Sequence, residues 1–576
     1  MNIAELFQAR VNSNPNDGTI VAFRKHGVGI LPLLGMENTS AYYADKLQEA
    51  GLQPGDTVLV VHPMSVELYV ALLAILRLGL TAMFIDPSAG REHLKRCCAL
   101  HPPQAFIGSP KAHLLRFVAP ALRRIPHKFV IGLPVPGAKV LQWIWPDWMA
   151  WLEIIGVLLY VFALKFGNLI GIRRRRILMT RGHLHPAPEF ASASPEETIC
   201  SLHKRQKIVP VADDHPALIT FTSGSTGQPK AAVRTHGFLR AQHRVLEKSL
   251  SLTAGEIDLT TLPIFVIANL ASGVLSVIPS VDLRFPGKID PAPVVQQIQR
   301  MKPHSTAASP AFLERIADYC LRRQIQLISF QKIFTGGAPV FPRLLDKLHK
   351  VAPNARIVAV YGSTEAEPMA EIARDEMSDD DLQAMWRGRG LLTGRPVPEI
   401  QLRILRKQWG TPITELTQAE FDAACLDVNE PGEIVVTGDH VLSGYLHGQG
   451  DEETKFRVGG KVWHRTGDAG YLDTQGRLWL LGRCAAQIAD ARGTLYPFAV
   501  ECAASHHPNV QRAALVQWQG RRVLTVELQT PDLDGLCEDL AWAGIDEIRV
   551  LKNIPVDKRH NAKVDYPALL KLLGEV

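Results

Sequence analysis

The chain has 576 residues, too many for one compact core, so two or more domains are expected. Its apolar fraction of 46% and charged fraction of 21% are those of a globular protein and exclude a disordered or low-complexity chain. A net charge of only +6 gives no reason to expect a nucleic-acid partner, and eight cysteines without a CxxC spacing or a paired framework exclude a disulfide scaffold and fit reduced thiols in a cytoplasmic setting.

The first residues, Met1 to Phe7, lack the basic start and long apolar core of a signal peptide. They read instead as an amphipathic helix with Ile3, Leu6, Phe7 and Val11 on one face. Residues 41–50 read as a helix ended by Gly51, and residues 57–61, Thr-Val-Leu-Val-Val, as a strand. Ser65 can cap a helix that runs through Leu68, Leu72, Leu73 and Leu76 to Gly79, before a second strand at 81–85. Strand, helix, strand at this spacing predicts a parallel sheet with crossover helices.

Residues 138–182 break the pattern. Trp143, Trp145, Trp148 and Trp151 lead into an apolar run from Ile154 to Leu164, followed by Lys165, Phe166, Asn168 and Arg173 to Arg176. Aromatic residues at one end and cations at the other resemble membrane-interface anchors. Three readings stay open for this insertion. It is an in-plane or re-entrant helix on an anionic leaflet, a buried helix, or a span, and the last would separate the flanking strands across a bilayer. Residues 186–195, rich in Ala, Ser and Pro, read as the linker back to the core.

The apolar strand Ala217-Leu218-Ile219 enters Thr220-Phe221-Thr222-Ser223-Gly224-Ser225-Thr226-Gly227-Gln228-Pro229-Lys230, and Ala231-Ala232-Val233 continues beyond it. Glycines let backbone N–H groups surround an anion, while hydroxyls and an ammonium complete a phosphate cradle. Lys230 follows a proline and precedes Ala231, so this is not a Walker A loop. The string resembles the phosphate loop of the adenylate-forming superfamily, which includes acyl-CoA synthetases, peptide-synthetase adenylation domains and luciferases. The resemblance implies phosphate binding by Thr222, Ser223, Gly224, Ser225, Thr226, Gly227 and Lys230.

Further motifs follow in the order of that family. Residues 237–248 read as a helix, and Leu262 to Leu270 stands at the family's acid-binding motif, where Phe265, Val266 and Asn269 are the expected acyl contacts. An apolar wall there favours an aliphatic chain over a charged or aromatic acid. Two strands, 332–334 and 357–360, run into Thr335-Gly336-Gly337-Ala338-Pro339 and Tyr361-Gly362-Ser363-Thr364-Glu365, turns of the kind that place ligands at carboxyl ends of strands. The resemblance puts Gly336, Gly337, Ala338, Tyr361 and Gly362 around adenine, Thr364 on the α-phosphate and Glu365 on Mg²⁺. Residues 433–436 and Gly444-Tyr445 match a motif that reads as structural. Asp468, in Trp463-His464-Arg465-Thr466-Gly467-Asp468, is the expected acceptor of both ribose hydroxyls, and Arg483 the contact to ribose or phosphate. Lys563 stands where the family's lid carries the lysine that stabilises charge during adenylation.

The resemblance implies an α/β fold, with a large N-terminal domain of mixed sheets and packed helices over residues 1–482 and a small mobile α+β lid over 483–576. Lys563, Thr364 and Glu365 would be the catalytic set, and ATP and Mg²⁺ the cofactors. Attack of a carboxylate on the α-phosphorus needs positioning and charge neutralisation but no protein nucleophile. Aligned without gaps, the hinge falls on Ala485 or Ala486, and the glycine pair of the pantetheine tunnel on Ala491 and Arg492, so CoA is not favoured. Pro263 to Gly273 and Arg559-His560-Asn561-Ala562-Lys563 look most like the β-lactone synthetases of bacterial olefin biosynthesis. That resemblance implies a long-chain 3-hydroxy acid, with lactone closure as the second step. An acyl-CoA or acyl-AMP ligase and a non-catalytic membrane-associated scaffold are the alternatives. Expected partners are the long-chain acid, a membrane surface through residues 143–176 and neighbouring lipid-pathway enzymes. The expected location is cytoplasmic, peripheral on the inner face of the membrane.

Overall fold

The computed structural model describes residues 1–24, 27–85, 90–142, 207–223, 229–406, 409–556 and 563–575. The insertion from residue 143 onward and its linker to residue 206 therefore lie outside the described residues. Two sheets organise the part before residue 484. In the 7-stranded sheet, Lys139–Gln142, His127–Ile131, Ala105–Gly108, Thr57–Val61, Thr81–Phe84 and Pro216–Ser223 run parallel in that order, and Pro229–Thr235 closes one edge antiparallel. The expected parallel pairing of the first two predicted strands is present, with Thr57 opposite Thr81. Ser65 caps the helix Val66–Arg77, accepting from the Leu68 amide at 3.4 Å. That helix is buried nearly all round, so its apolar residues show no polar stripe.

The second sheet has 14 described strands. Its parallel half includes Ile257–Thr260, Ser305–Ala308, Lys332–Gly336 and Arg356–Ser363 in adjacent positions. Beyond Arg356–Ser363 it turns antiparallel through Ala366–Ala373, Leu391–Pro396, Leu478–Arg483 and Lys461–Leu472. Crossover helices cover the parallel half, as βαβ connections require. Three helices differ in extent from the expectation. The first helix is Ala4–Ser13, with Ile3, Phe7 and Val11 buried and Leu6 partly so. The second is Leu33–Glu49 rather than 41–50, starting directly after the extended Pro32. Its first turns bury Leu33, Met36, Glu37 and Ser40, and the two buried polar residues hid the apolar periodicity. The helix after the phosphate loop is His236–Ser249.

Past Arg483 the chain builds sheets of its own. A short hairpin pairs Ile488–Asp490 with Gly493–Leu495, and Val510–Trp518, Arg521–Leu528 and Glu547–Val550 form a 3-stranded sheet. The helices Pro497–Ala504 and Tyr566–Glu575 pack on it. This part touches the larger one around the turn Met385–Arg389. Trp386 stacks on His506 with ring centres 3.5 Å apart, and Phe341 lies 6.1 Å from Phe498. Trp542 covers Gly388, where any Cβ would stand 2.2 Å from the indole. Gly388 also has a φ of +84°, so both space and backbone require glycine there.

Candidate active site

The phosphate-loop motif begins and ends on two paired strands. Strands Pro216–Ser223 and Pro229–Thr235 pair antiparallel, with Thr222 opposite Lys230 and Ser223 opposite Pro229. Gly224, Ser225, Thr226 and Gly227 lie outside the described residues, as do the side chains of Thr222 and Ser223. Side chains two apart along a strand share a face, so Lys230 and Arg234 point the same way. Arg234 donates to the Thr220 hydroxyl at 2.7 Å and to the Thr364 carbonyl at 2.9 Å, tying the hairpin to the turn that carries Glu365. The Lys230 ammonium lies 2.8 Å from Glu453 and 5.8 Å from the centre of the Tyr445 ring.

Tyr445 is the hub between this hairpin and Glu365. Its hydroxyl donates to Glu365 Oε1 at 2.6 Å, and the Lys455 ammonium stands 5.8 Å from its ring centre on the way to the Leu442 carbonyl. Burial opposes ionisation of Glu365, but the Tyr445 hydroxyl and the Lys455 ammonium favour the charged form, and the carboxyl titrates below its ordinary range. Burial, with Lys455 nearby, pushes His464 down to about 3 and keeps it neutral near pH 7, which leaves Lys455 as the working cation. Burial also pushes Lys455 down to about 8, against the pull of Glu365 and Asp451. The result is an ionised carboxylate and two ammoniums around one aromatic ring. Among the described residues no cluster of three or more His, Cys, Asp or Glu is arranged to cage a metal. A lone hard carboxylate fits Mg²⁺ that takes its remaining ligands from phosphates and water.

At the other end of this region Tyr361 and Asp468 meet. The tyrosine hydroxyl donates to Asp468 Oδ2 at 2.7 Å, and Arg483 reaches Asp468 Oδ1 at 3.3 Å and the Thr466 carbonyl at 3.1 Å. Sheet register explains the second contact, since Asp468 and Arg483 are opposite one another on paired strands. Tyr361 and Gly362 belong to the strand Arg356–Ser363, which extends past the predicted residue 360. Gly336 ends the neighbouring strand, and a Cβ there would come within 2.6 Å of the Val360 carbonyl. The loop Gly336-Gly337-Ala338 thus lies beside Tyr361 because Lys332–Gly336 and Arg356–Ser363 are adjacent and parallel.

The proposed acyl contacts lie on the helix Pro263–Ser272, but not on one face of it. Phe265 packs with Leu246, Leu250, Ala307 and Phe334, whereas Val266 belongs to the core under the N-terminal helix. Asn269 shares a small cleft with Phe265, and its amide donates to Asp258, Thr260 and Ser276 at 3.0–3.2 Å. It thereby anchors the helix to the sheet. The opposite side of the helix lines an apolar cleft with Phe7, Tyr69, Leu72, Leu73 and Leu76.

Lys563 is exposed, at the foot of a segment whose base is closed by the Val556–Val564 bridge and the Asp565 amide on the Pro555 carbonyl at 2.9 Å. Residues 557–562 before it lie outside the described residues. Three residues on, the Tyr566 hydroxyl donates to the buried Glu501 at 2.7 Å. The guanidinium of Arg492 is clamped to Asp546 by two contacts at 2.9 Å, with Asp490 at 3.2 Å and the Gly544 carbonyl at 2.8 Å.

Sequence reasoning read Tyr445 as structural and missed Arg234, Glu453, Lys455 and His464. Only Arg234 carried a local signal, its even spacing from Lys230. The Tyr445 reading is open to test. Tyr445→Phe keeps the ring that faces both ammoniums and removes one hydrogen bond to a charged acceptor, about 1.5–3 kcal/mol. ATP–pyrophosphate exchange should slow about tenfold or more at fixed Mg²⁺, with little change in melting temperature. An unchanged rate would return Tyr445 to a structural role.

Residues 35–446 match the family described as AMP-binding enzyme. An olefin beta-lactone synthetase from Stenotrophomonas maltophilia is 31% identical over 529 residues, covering 88% of this chain and 84% of that protein. One from Xanthomonas campestris pv. campestris is 29% identical over 531 residues with the same coverage. The fold is similar to that of the amide bond synthetase McbA from Marinactinospora thermotolerans, with a TM-score of 0.72 at 18% identity over 99% of both chains.

Proposed function

Because this chain belongs to the AMP-binding enzyme family, whose members are adenylate-forming ligases that use ATP, we propose that it activates a long-chain 3-hydroxy carboxylic acid and then closes it to a β-lactone. The observation that carries the adenylation reading is the gathering of Lys230, Glu365, Tyr445 and Lys455 at the foot of the phosphate hairpin, joined through Thr364 and Arg234. In this reading Tyr361, Gly336, Gly337 and Ala338 flank adenine, and Asp468 with Arg483 holds the ribose. Thr364 and the hairpin take the phosphates, and Glu365 holds Mg²⁺, which would neutralise charge on the departing pyrophosphate. The substrate carboxylate attacks the α-phosphorus, pyrophosphate leaves, and acyl-AMP forms. Residues 483–576 act as the mobile lid that brings Lys563 to this charge.

The second step then needs no external thiol. The 3-hydroxyl oxygen attacks the activated carbonyl, the carbonyl–phosphate bond breaks, AMP leaves, and the hydroxyl proton is lost. An intramolecular nucleophile gives proximity that a bimolecular thiol lacks, provided that the acyl chain is folded in the site. Two observations support this course. The similarity to olefin beta-lactone synthetases extends over 88% of the chain. Arg492, where a CoA ligase is expected to carry the second glycine of its tunnel, is an ordered cation held on the lid by Asp546 and Asp490. The apolar surroundings of Phe265 support an aliphatic chain.

Purified protein with ATP, Mg²⁺ and a 2-alkyl-3-hydroxy acid should yield β-lactone and AMP by mass spectrometry. A simple fatty acid should stall as acyl-AMP, and added CoA should not speed turnover. Rapid CoA-dependent thioester formation from a simple fatty acid would replace this reading by an acyl-CoA ligase. We place the enzyme beside others of a lipid pathway, with residues 143–176 against an anionic leaflet. Among the described residues no helix is long and apolar enough to cross a membrane, and the tryptophans and arginines of that stretch support contact at an interface.

A further inference from the structure

The helix Pro110–Val118 leaves an apolar ridge in solvent. Phe117 is 79% exposed, Leu114 61% and Val118 47%. With Lys111 they follow helical spacing, so the four side chains share one outward stripe. The inward face is fixed. Ala112 and His113 are buried, the His113 ring lies 4.8 Å from Phe106, and its Nε2 is 2.9 Å from the Phe129 carbonyl. The ridge is therefore held in place by a rigid scaffold. Scattered single apolar residues are ordinary at a surface, but three large ones on adjacent turns of one short helix mark a contact site.

The charge around it points to the partner. From Ala105 to Gln142 the chain carries Lys111, Arg116, Arg123, Arg124, Lys128 and Lys139 and no Asp or Glu. Lys111, Arg123, Arg124 and Lys139 are exposed. Arg123 and Arg124 end the short helix Pro120–Arg124, which follows the ridge directly, and Lys139 begins the edge strand Lys139–Gln142. An apolar ridge flanked by cations fits the headgroup and acyl boundary of an anionic bilayer, with phosphates over the cations and the ridge among the upper methylenes.

We propose that the surface formed by Leu114, Phe117 and Val118 with Lys111, Arg123 and Arg124 docks this protein on an anionic lipid surface. The proposal shares its lipid partner with the reading of residues 143–176 but stands without those residues. The full chain should co-sediment with vesicles of phosphatidylglycerol and phosphatidylcholine, and weakly with phosphatidylcholine alone. Phe117→Asp should reduce binding at least tenfold. The double change Arg123→Gln and Arg124→Gln should reduce it about 25-fold at low salt, at about fivefold per cation. That second loss should shrink in 0.5 M salt, where charges are screened. ATP–pyrophosphate exchange with a short soluble acid should be unchanged in both, since these residues lie outside the proposed active site. A third variant, Arg173 to Arg176 all changed to Gln, separates the two readings. Release by this variant with full binding by the other two would overturn the proposal and leave the insertion reading standing. Absence of vesicle binding, or a dimer in solution that Phe117→Asp dissociates without any vesicle binding, would overturn it in favour of a protein partner.

Discussion

Lys563→Ala should abolish most adenylation while leaving the fold intact. One preorganised cation facing developing charge in a water-poor site contributes about 2–4 kcal/mol to the transition state, or about 10²–10³ in rate. Stability should hardly change, because Lys563 is exposed and the structure around it is held by other groups. Asp565 caps the helix Tyr566–Glu575 through the Ala568 amide at 3.1 Å, and Tyr566 is bonded to Glu501. ATP–pyrophosphate exchange measures the loss, and the melting temperature serves as control. Near wild-type formation of acyl-AMP by the variant would show that the lysine takes no part in the first step. Normal adenylation combined with a slow second step would place its role there.

A larger loss of stability should follow from Arg465→Leu. Arg465 and Glu433 each expose only 1% of their side chains, and the guanidinium meets the carboxylate at 2.6 and 3.1 Å. A further donor goes to the Thr411 carbonyl at 2.7 Å. Removing one partner strands a buried charge, at a cost of about 3–5 kcal/mol. Burial already raises Glu433 above its ordinary value despite Arg465. In the variant that rise grows, so the folded form binds the proton more tightly than the unfolded chain. Such a group stabilises below its unfolded pKa and loses that contribution as pH rises. The deficit in urea or thermal unfolding should therefore be smaller at pH 5 than at pH 8. A deficit that does not change with pH would mean that the packing against Trp409, 5.7 Å from the guanidinium, matters more than the charge. Because Arg465 lies three residues before Asp468 on the same strand, the contacts of Asp468 with Tyr361 and Arg483 should be lost along with the fold.

Much of the candidate site was legible in the sequence because its parts are local. The phosphate hairpin, the Tyr361 to Glu365 turn and Asp468 each occupy a short stretch in which residue types state their own chemistry. What was not legible depends on chain closure over long distances. Tyr445 reaches Glu365 across 80 residues, and Lys230 meets Glu453 across 223, through loops with no periodicity to announce them. The pairing of Asp468 with Arg483 was visible only as two motifs, whereas strand register makes them neighbours. Phe265 and Val266 looked like one wall, but successive helix residues lie about 100° apart, which sends them into separate cores. Part of the fold was misjudged for a simpler reason. Buried Glu37 and Ser40 gave the first turns of Leu33–Glu49 a polar look.

The contact between Trp542 and Gly388 also makes the protein its own reporter. The indole rests on the turn Met385–Arg389 yet remains 42% exposed, at the seam between the two parts of the chain. Any swing of the C-terminal part must lift this ring off the glycine and into water, and with it unstack Trp386 from His506. Both events change the polarity around an emitting side chain. Steady-state tryptophan emission, compared between the whole protein and a Trp542→Phe variant, can therefore report any such swing without an attached dye.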